Sequence, residues 1–546
     1  MKDRIDQITN YIQQIDDVSI INAFIMDNES IHGKISVEMD SIKLLFDVLV
    51  LPVYPLRFHD SESIEFSNIE LLEYDHVMKN GHICIHTVHY SNLQDKINHD
   101  VNSLKKWIRK YYINKETDIH YEHIITPWAL FNNEKYCYLF TETDFEFKKG
   151  DYGILKYSAL QDGQHNATNI HTLIIQEFIV NNKPVFCKWS KAYRNLEKGD
   201  GIYVYIENPP IEHKRFIVEK WSCLAPFINQ NFMHFMQKAK ERFASTTTPI
   251  PLFIGYKIPG NEIHWQCAAI DLKAFPIYSE RFPGTRIFAL FFKQEAISWM
   301  MTQNSSYHYF FGRGLLNTKI TNGKILMVGV GAIGSMVATT LVRGGCRYIA
   351  LADFDIKEPG NVCRSEYNFI TGINSKVHDL RQQLVNISPH VEVLPLDKLS
   401  DAMKICINNG WNAEVIKKNL DEYDFIIDCT ADNDFSFILD KVDTKSQIIN
   451  LSISNEAKEL VCIVKPELCE WLNEIYNSFP NRIDQDLYNP IGCWNPTFRA
   501  SYNDVSIMVQ YAIKQINFSL EKGYPLKNFV LSREENSSVN IKLIEY

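Results

Sequence analysis

Between residues 329 and 376 the chain gathers side chains suited to holding a nucleotide and absorbing the charge of its phosphates. The apolar run "KILMVGV" leads into Gly329-Val330-Gly331-Ala332-Ile333-Gly334, and the helix pattern "SMVATTLVRGG" comes next. In that context glycines let the backbone approach phosphate, while a helix N-terminus offers unpaired N–H groups and the positive end of a dipole. The turn alone serves NAD, FAD and ATP users alike. The residues after the turn narrow the chemistry: Asp353-Phe354-Asp355, then Asn361, Arg364, Thr371-Gly372 and Lys376. A dehydrogenase needs one acid for the ribose hydroxyls. A second acid, an arginine and a lysine suit a nucleotide whose phosphates are attacked, because Arg364 and Lys376 can neutralise charge on the transferring group. Further on, "DFIID" ends in Cys429-Thr430-Ala431-Asp432-Asn433. That delivers carboxylates to the carboxyl edge of a sheet, where open α/β folds bind ligands, and makes Asp432 a natural magnesium ligand.

Thiols and histidines form a second set. In "YDHVMKNGHICIHTVHY", residues 74 to 90, Cys84 lies between two isoleucines, past a turn at Asn80-Gly81, with His76 eight residues before it. Three readings compete: acyl acceptor, metal ligand and buried thiol. His82, Cys84 and His86 alternate at strand spacing and so share one face, but no further ligand cluster stands nearby in sequence. On these residues alone the metal ligand ranks last, and the acyl acceptor and the buried thiol both stay open. Cys493, in "YNPIGCWNPTFRASYNDV", stands in a proline-flanked loop ahead of a helix-like stretch. A thiolate near a helix N-terminus has a lowered pKa and is a competent acyl acceptor. Cys346, Cys363, Cys429 and Cys462 lie in or beside regular patterns and read as inert buried thiols.

Three blocks position these residues. At 546 residues the chain exceeds the ~250–300 at which single cores stop growing. Residues 1–115 carry a helix with Ile5, Ile8 and Ile12 at helical spacing, strand-like stretches around 30 to 53 ending in "LVLPVYP", and a basic helix closing near 112. Residues 116–305 are rich in aromatics and short β-like runs broken by Gly, Pro and Asn, with no motif that carries chemistry. Residues 306–546 alternate strand and helix patterns, the signature of a parallel sheet with crossover helices. The fold class expected is therefore multidomain α+β and α/β: an α+β block, a β-rich block, and a Rossmann-like block with a mainly parallel sheet. A net charge of −10 gives no general electrostatic reason to bind nucleic acid or acidic lipid. The polar N-terminus "MKDRIDQITNYIQQIDD" lacks a signal-peptide core, no apolar run is long enough for a membrane span, and a cytoplasmic location is expected. Twelve cysteines, never as C-x-x-C, fit reduced thiols rather than a disulfide scaffold or a structural zinc.

The ordered set G-V-G-A-I-G-S, D-F-D, N-V-C-R, T-G, K and T-A-D-N resembles the adenylation domain shared by ubiquitin-activating enzymes and the ThiF/MoeB sulfur-carrier activators. The resemblance assigns Gly329, Gly331 and Gly334 to the phosphates of ATP, and Asp353 with Asp355 to the ribose. It assigns Asn361, Arg364 and Lys376 to the phosphates and leaving pyrophosphate, Asp432 to magnesium (Mg2+), and Arg313 in "FFGRG" to a reach across a homodimer. Ala431 departs from the family as an extra residue in the T-D-N turn, and the paired C-x-x-C zinc site is missing. Such enzymes join ATP to a C-terminal carboxylate, and a catalytic cysteine, here Cys493, then takes the acyl group.

The first block is similar to a ubiquitin-conjugating core. Tyr54-Pro55 matches its Tyr-Pro turn, His76 its loop histidine and Cys84 its acceptor cysteine, while its His-Pro-Asn is absent and Asn80 is the nearest stand-in for the asparagine. A conjugating-like block ahead of an activating-like block resembles the fused enzymes of bacterial CBASS anti-phage operons. This resemblance implies a modifier that is the C-terminus of a cGAS/DncV-like nucleotidyltransferase, conjugated to target lysines. Within the same chemistry the rival is a small β-grasp modifier of a bacterial ubiquitin-like pathway. From another class come a non-catalytic scaffold and a nicotinamide oxidoreductase.

Overall fold

The computed structural model describes residues 2–59, 61–90, 92–118, 130–131, 134–160, 170–243, 249–281, 288–396, 399, 403, 413–479, 497–534 and 540–546. The chain divides into two compact units, residues 1–187 with 196–304, and residues 188–195 with 305–546.

In the first unit, helix Lys2–Gln13 buries Ile8 and Ile12. Strands Val18–Asp27, Ser30–Met39, Ile42–Val50 and Ile64–Ser67 then form an antiparallel sheet in chain order. The strand Val18–Asp27, ahead of the stretch where strands were expected, is part of it. Its tight hairpin turns place Asn28, Glu29, Asp40 and Ser41 at positive φ, the backbone twist that two-residue hairpins need, without any glycine to signal it. Helix Leu93–Trp107 begins before the basic stretch, capped by the Asn92 side chain, and runs on as a π-helix over Ile108–Ile113. It lays Ile97, Val101 and Leu104 against Ile35, Phe46, Ile64 and Phe66 of the sheet.

The β-rich block closes on itself. Glu134–Phe140, Ser298–Asn304, Glu262–Ile270, Ile250–Ile258, Gly199–Glu207, Tyr152–Ala159 and Ile170–Val180 pair in that order, and the last pairs back with the first. Closure removes the unpaired edges that an open sheet would expose. An aromatic cluster of Phe147, Phe178, Tyr203 and Trp265 holds it together, with the Phe178 and Trp265 rings 4.6 Å apart. Helix Gln230–Arg242, which the β-like reading of this block did not anticipate, packs Phe232, Met233 and Met236 on Leu252 and Ile254.

In the second unit, the sheet order is Glu392–Pro395, Tyr348–Ala352, Lys324–Val328, Phe425–Asp428, Gln447–Ile453, Glu459–Val464, Phe529–Arg533 and Ile541–Glu545. The first five strands are parallel and the rest antiparallel. The strand order reverses between Lys324–Val328 and Phe425–Asp428, and such a switch point opens a crevice at the carboxyl ends of the strands. Helices Ala332–Arg343 and Tyr502–Lys522 pack on the sheet through Met336, Val337, Met508 and Val509. Among the described residues no helix is long and apolar enough to cross a membrane.

Candidate functional site

At the switch point the glycine turn is fixed by steric contact. Gly329 has φ +77°, and a Cβ there would lie 2.8 Å from backbone atoms of Cys429 and Thr430. A Cβ on Gly334 would lie 1.9 Å from the carbonyl oxygen of Gly329. Gly331 caps helix Ala332–Arg343 and has nothing within 4 Å of a hypothetical Cβ, so its open side faces a cleft. The cleft measures about 270 Å³ and is lined by Gly329, Gly331, Asp353, Asp355, Lys376 and Asp432, with Phe354, Thr430 and Phe435 beside them.

The acids at the strand ends have separate duties. Asp353 accepts the Val330 N–H through Oδ2 at 2.8 Å and the Asp355 N–H through Oδ1 at 2.9 Å, which locks the turn to the second strand. Asp355 pairs with Lys376, and both line the cleft. Asp432 caps helix Asn433–Lys441, accepting from the N–H groups of Asp434 and Phe435. Ala431 before it sits at φ +54°, a region that costs a residue with a Cβ and here turns the chain toward the cap.

Behind this edge lies Asp428, fully buried. It accepts the Thr430 N–H and hydroxyl at 3.0 and 2.7 Å, the Ser436 hydroxyl at 2.9 Å and the Asn450 amide at 2.9 Å. Burial pushes its carboxyl above the usual range, against the pull of those donors. The Thr430 hydroxyl then accepts the Asp432 N–H at 3.0 Å, so a chain of bonds running out from the buried carboxylate sets the Asp432 backbone. Sequence reasoning passed over Asp428; its place as the last polar residue of an apolar strand was the available signal.

Not every candidate reaches the cleft. Asn361 and Arg364 lie on the 3-10 helix Pro359–Arg364, where Asn361 accepts the Glu358 N–H as half of a capping box. Arg364 donates to the Phe498 carbonyl at 2.8 Å and covers the Phe498 ring, and burial lowers its pKa. The loop between this helix and Lys376 is held by Lys357, fully buried, which donates to Asn368 O, Thr371 Oγ1 and Asp379. Arg313 is exposed. Cys493 lies outside the described residues. Burial raises the thiol pKa of Cys346 to about 12 and lifts that of Cys462 as well, while Cys363 is exposed rather than buried as expected.

In the first unit, Val77 and Ile83 pair across the Asn80-Gly81 turn, and the Cys84 N–H donates to the His76 carbonyl at 2.8 Å. The eight-residue separation is thus a small hairpin that sets the two residues side by side. Gly81 has φ +83°, and a Cβ there would meet the backbone of Asn68 and Ile69 at 2.8 Å. Asn80 accepts the His82 N–H at 3.1 Å and shapes the turn. The His76 imidazole, at a residue with φ +60°, bonds Asp118 and lies 4.9 Å from the Tyr111 ring. Tyr111 also donates to Asp118 at 2.9 Å, and these partners hold the Asp118 carboxyl at about 2. His86 is the imidazole that meets the thiol, with Nε2 3.4 Å from Cys84 Sγ. Among the described residues no group of three or more His, Cys, Asp or Glu side chains could hold a metal.

The loop ahead of Cys84 is gripped from the β-rich block of the same unit. Arg215, almost wholly buried, donates to the carbonyls of Leu72 and Tyr74, His213 pairs with Glu73, and Lys79 pairs with Glu219. Sequence reasoning missed Arg215, which no local pattern marks.

A doubly wound sheet with a glycine turn, a lysine and strand-end acids at its switch point has the form of a nucleotide site. Residues 306–454 match the ThiF family. The chain is 29% identical over 231 residues to the ATP-dependent ubiquitin transferase-like protein Cap2 of Enterobacter hormaechei subsp. hoffmannii (strain UCI 50), covering 41% of this chain and 37% of that protein. It is 27% identical over 112 residues to the molybdopterin-synthase adenylyltransferase of Escherichia coli (strain K12), covering 20% of this chain and 41% of that protein. The solved structure of E. coli MccB with ATP aligns over 42% of this chain and 64% of that chain, with 14% identity and a TM-score of 0.29. The chain therefore spans less than half the length of either curated relative.

Proposed function

We propose that this chain uses ATP to activate the C-terminal carboxylate of a protein modifier, carries the acyl group on Cys493, passes it to Cys84 and delivers it to lysine amines of a target. The observation that carries the proposal is the convergence of the glycine turn, Lys376 and Asp432 on one cleft at the switch point of a ThiF-type sheet. The turn and the helix N-terminus suit phosphate, and Lys376 balances charge on the α-phosphate as carboxylate displaces pyrophosphate. Asp432 would hold magnesium, which when bound neutralises phosphate charge. Asn361, Arg364 and the exposed Arg313 are proposed to complete the site around bound ATP, Arg313 by acting across a homodimer.

The conjugating half of the reading is supported by the order helix, four-stranded antiparallel meander, cysteine-bearing segment, helix. The name of the Enterobacter relative, a ubiquitin transferase-like protein, supports the same chemistry. His76 serves this site by shaping the loop, through its carbonyl to Cys84 and its ring to Asp118. The modifier proposed is a cGAS/DncV-like nucleotidyltransferase, and the setting anti-phage defence in the cytoplasm.

Labelled pyrophosphate should exchange into ATP when magnesium and that modifier are present, and Asp432→Ala should abolish the exchange. Cys493→Ala should leave exchange intact and remove the reducible adduct. Cys84→Ala should keep the adduct on Cys493 and yield no amide by mass spectrometry. Full amide formation by Cys84→Ala would overturn the relay.

A further inference from the structure

Residues 82 to 87 alternate in burial. Ile83, Ile85 and Thr87 are buried, while His82 and Cys84 are part-buried and His86 is exposed. The alternation puts Cys84 and His86 on one face two residues apart, and the His86 Nε2 lies 3.4 Å from the Cys84 sulfur. Both ends of this short segment are pinned. At one end the Cys84 N–H is bonded to His76. At the other, Thr87 donates its N–H to Glu62 at 2.9 Å and its hydroxyl to Asp100 at 2.6 Å. Its hydroxyl accepts from Lys96 and its carbonyl from Arg57, each at 2.6 Å.

Glu62, Lys96 and Asp100 are 3%, 1% and 0% exposed. Taking three such charges out of water costs several kcal/mol per ion, and an apolar core of similar volume is often as stable. What the cluster does that an apolar core would not do is hold, together with Arg57, every polar group of Thr87, the residue next to His86.

We infer that His86 takes the proton of the Cys84 thiol and is a catalytic residue of the acyl transfer proposed above, on which this inference rests. In the tautomer with hydrogen on Nδ1, Nε2 accepts the proton as the sulfur attacks the thioester carbonyl. The new carbon–sulfur bond forms at Cys84, the bond to the donor sulfur breaks, and the proton leaves on the donor thiol. When an amine later attacks, its proton passes through Nε2 to the Cys84 sulfur as the amide forms. A thiol of ordinary acidity is only a few per cent thiolate near neutral pH, so an adjacent base raises the reactive fraction.

The test uses the whole chain and iodoacetamide, a probe that needs no modifier, with alkylation of Cys84 followed by peptide mass spectrometry at neutral pH. His86→Gln and His86→Ala should slow alkylation at least about tenfold without lowering the melting temperature, because His86 is exposed. His82→Gln, on the same face but paired with Glu65, should alter the rate less than about twofold. An unchanged rate in both His86 variants, or an equal loss in His82→Gln, overturns the inference. A His86-dependent rate in a protein that forms no thioester on Cys84 with ATP and a cGAS/DncV-like nucleotidyltransferase overturns the proposed relay and leaves the thiol–imidazole pairing standing.

Discussion

A methyl group on Gly334 would sit 1.9 Å from the Gly329 carbonyl, whereas Cys84 is half-exposed on a segment held by side chains from residues 57 to 100. The cleft at the switch point is shaped by backbone packed against backbone, Gly334 against Gly329 and Gly329 against Cys429 and Thr430. The thiol surface is shaped by buried charges, by a hairpin that folds His76 back on Cys84, and by Arg215 reaching in from the β-rich block. A backbone-built site fails at once when a Cβ is added. A site built from side chains fails by degrees, one partner at a time.

The sharpest way to break this comparison is at the glycines. Gly334→Ala forces the turn open, and a displacement near 1 Å can cost about 100-fold in rate, so pyrophosphate exchange should fall by at least that factor. Gly331→Ala meets nothing of the protein, so it should keep the melting temperature and weaken only nucleotide binding, as a raised KM for ATP. Equal loss of stability in both variants would show that the turn is not shaped by the close approach at Gly334.

Asp428→Ala comes next. It strands four donors, those of Ser436 and Asn450 in a buried site, at about 1–3 kcal/mol for each buried donor left unsatisfied, read by thermal melting, and it unties Thr430 from Asp428. A variant that melts like the parent would mean these donors find other partners. Arg215→Ala should cost less, about 1.5–3 kcal/mol for charge-assisted bonds to two carbonyls. Its signature is local: faster amide hydrogen exchange across residues 72 to 76, with the sheet of the second unit unaffected. Uniform exchange there would deny the β-rich block its grip on the loop.

The same contrast explains how much was legible in the amino-acid sequence alone. Around the cleft, the glycine turn, Asp353, Asp355 and Asp432 belong to short motifs that follow strands whose apolar runs are unmistakable, Lys376 opens the helix Lys376–Ile387, and all of them line one cleft. Asn361 and Arg364 were just as visible as motif letters, yet one caps a helix and the other holds Phe498. At the thiol, the alternation over residues 82 to 86 already placed His86 with Cys84. Asp118, Lys96 and Arg215 were invisible, because they reach partners such as His76, Glu62 and Leu72 that lie 34 to 143 positions away, and only the tertiary fold brings them together. The closed sheet was hidden for a related reason: closure depends on pairing Glu134–Phe140 with both Ile170–Val180 and Ser298–Asn304, and no turn joins the latter to it. Helix Gln230–Arg242 was overlooked amid aromatic runs that read as strands.

The smallest effect tests whether the loop beneath Cys84 depends on one partly exposed carboxylate. The hydrogen bond from His76, then those from Tyr111 and Lys110, hold the Asp118 carboxyl at about 2, below its value in an unfolded chain. A group whose folded pKa is depressed contributes stability above its unfolded pKa and loses it as pH falls through the folded value. Asp118→Asn, which cannot ionise, should therefore melt below the parent protein at pH 5, and the gap should close as the pH drops from about 4 toward about 2. The direction is specific, because a carboxyl raised by burial, as Asp428 is, would lose its stabilising share as the pH rises instead. Melting curves of both proteins, taken over the part of this range in which the parent stays folded, decide the point. A gap that stays constant or widens on acidification would detach Asp118 from the stability of the loop and leave His76 held by Tyr111 and its own backbone.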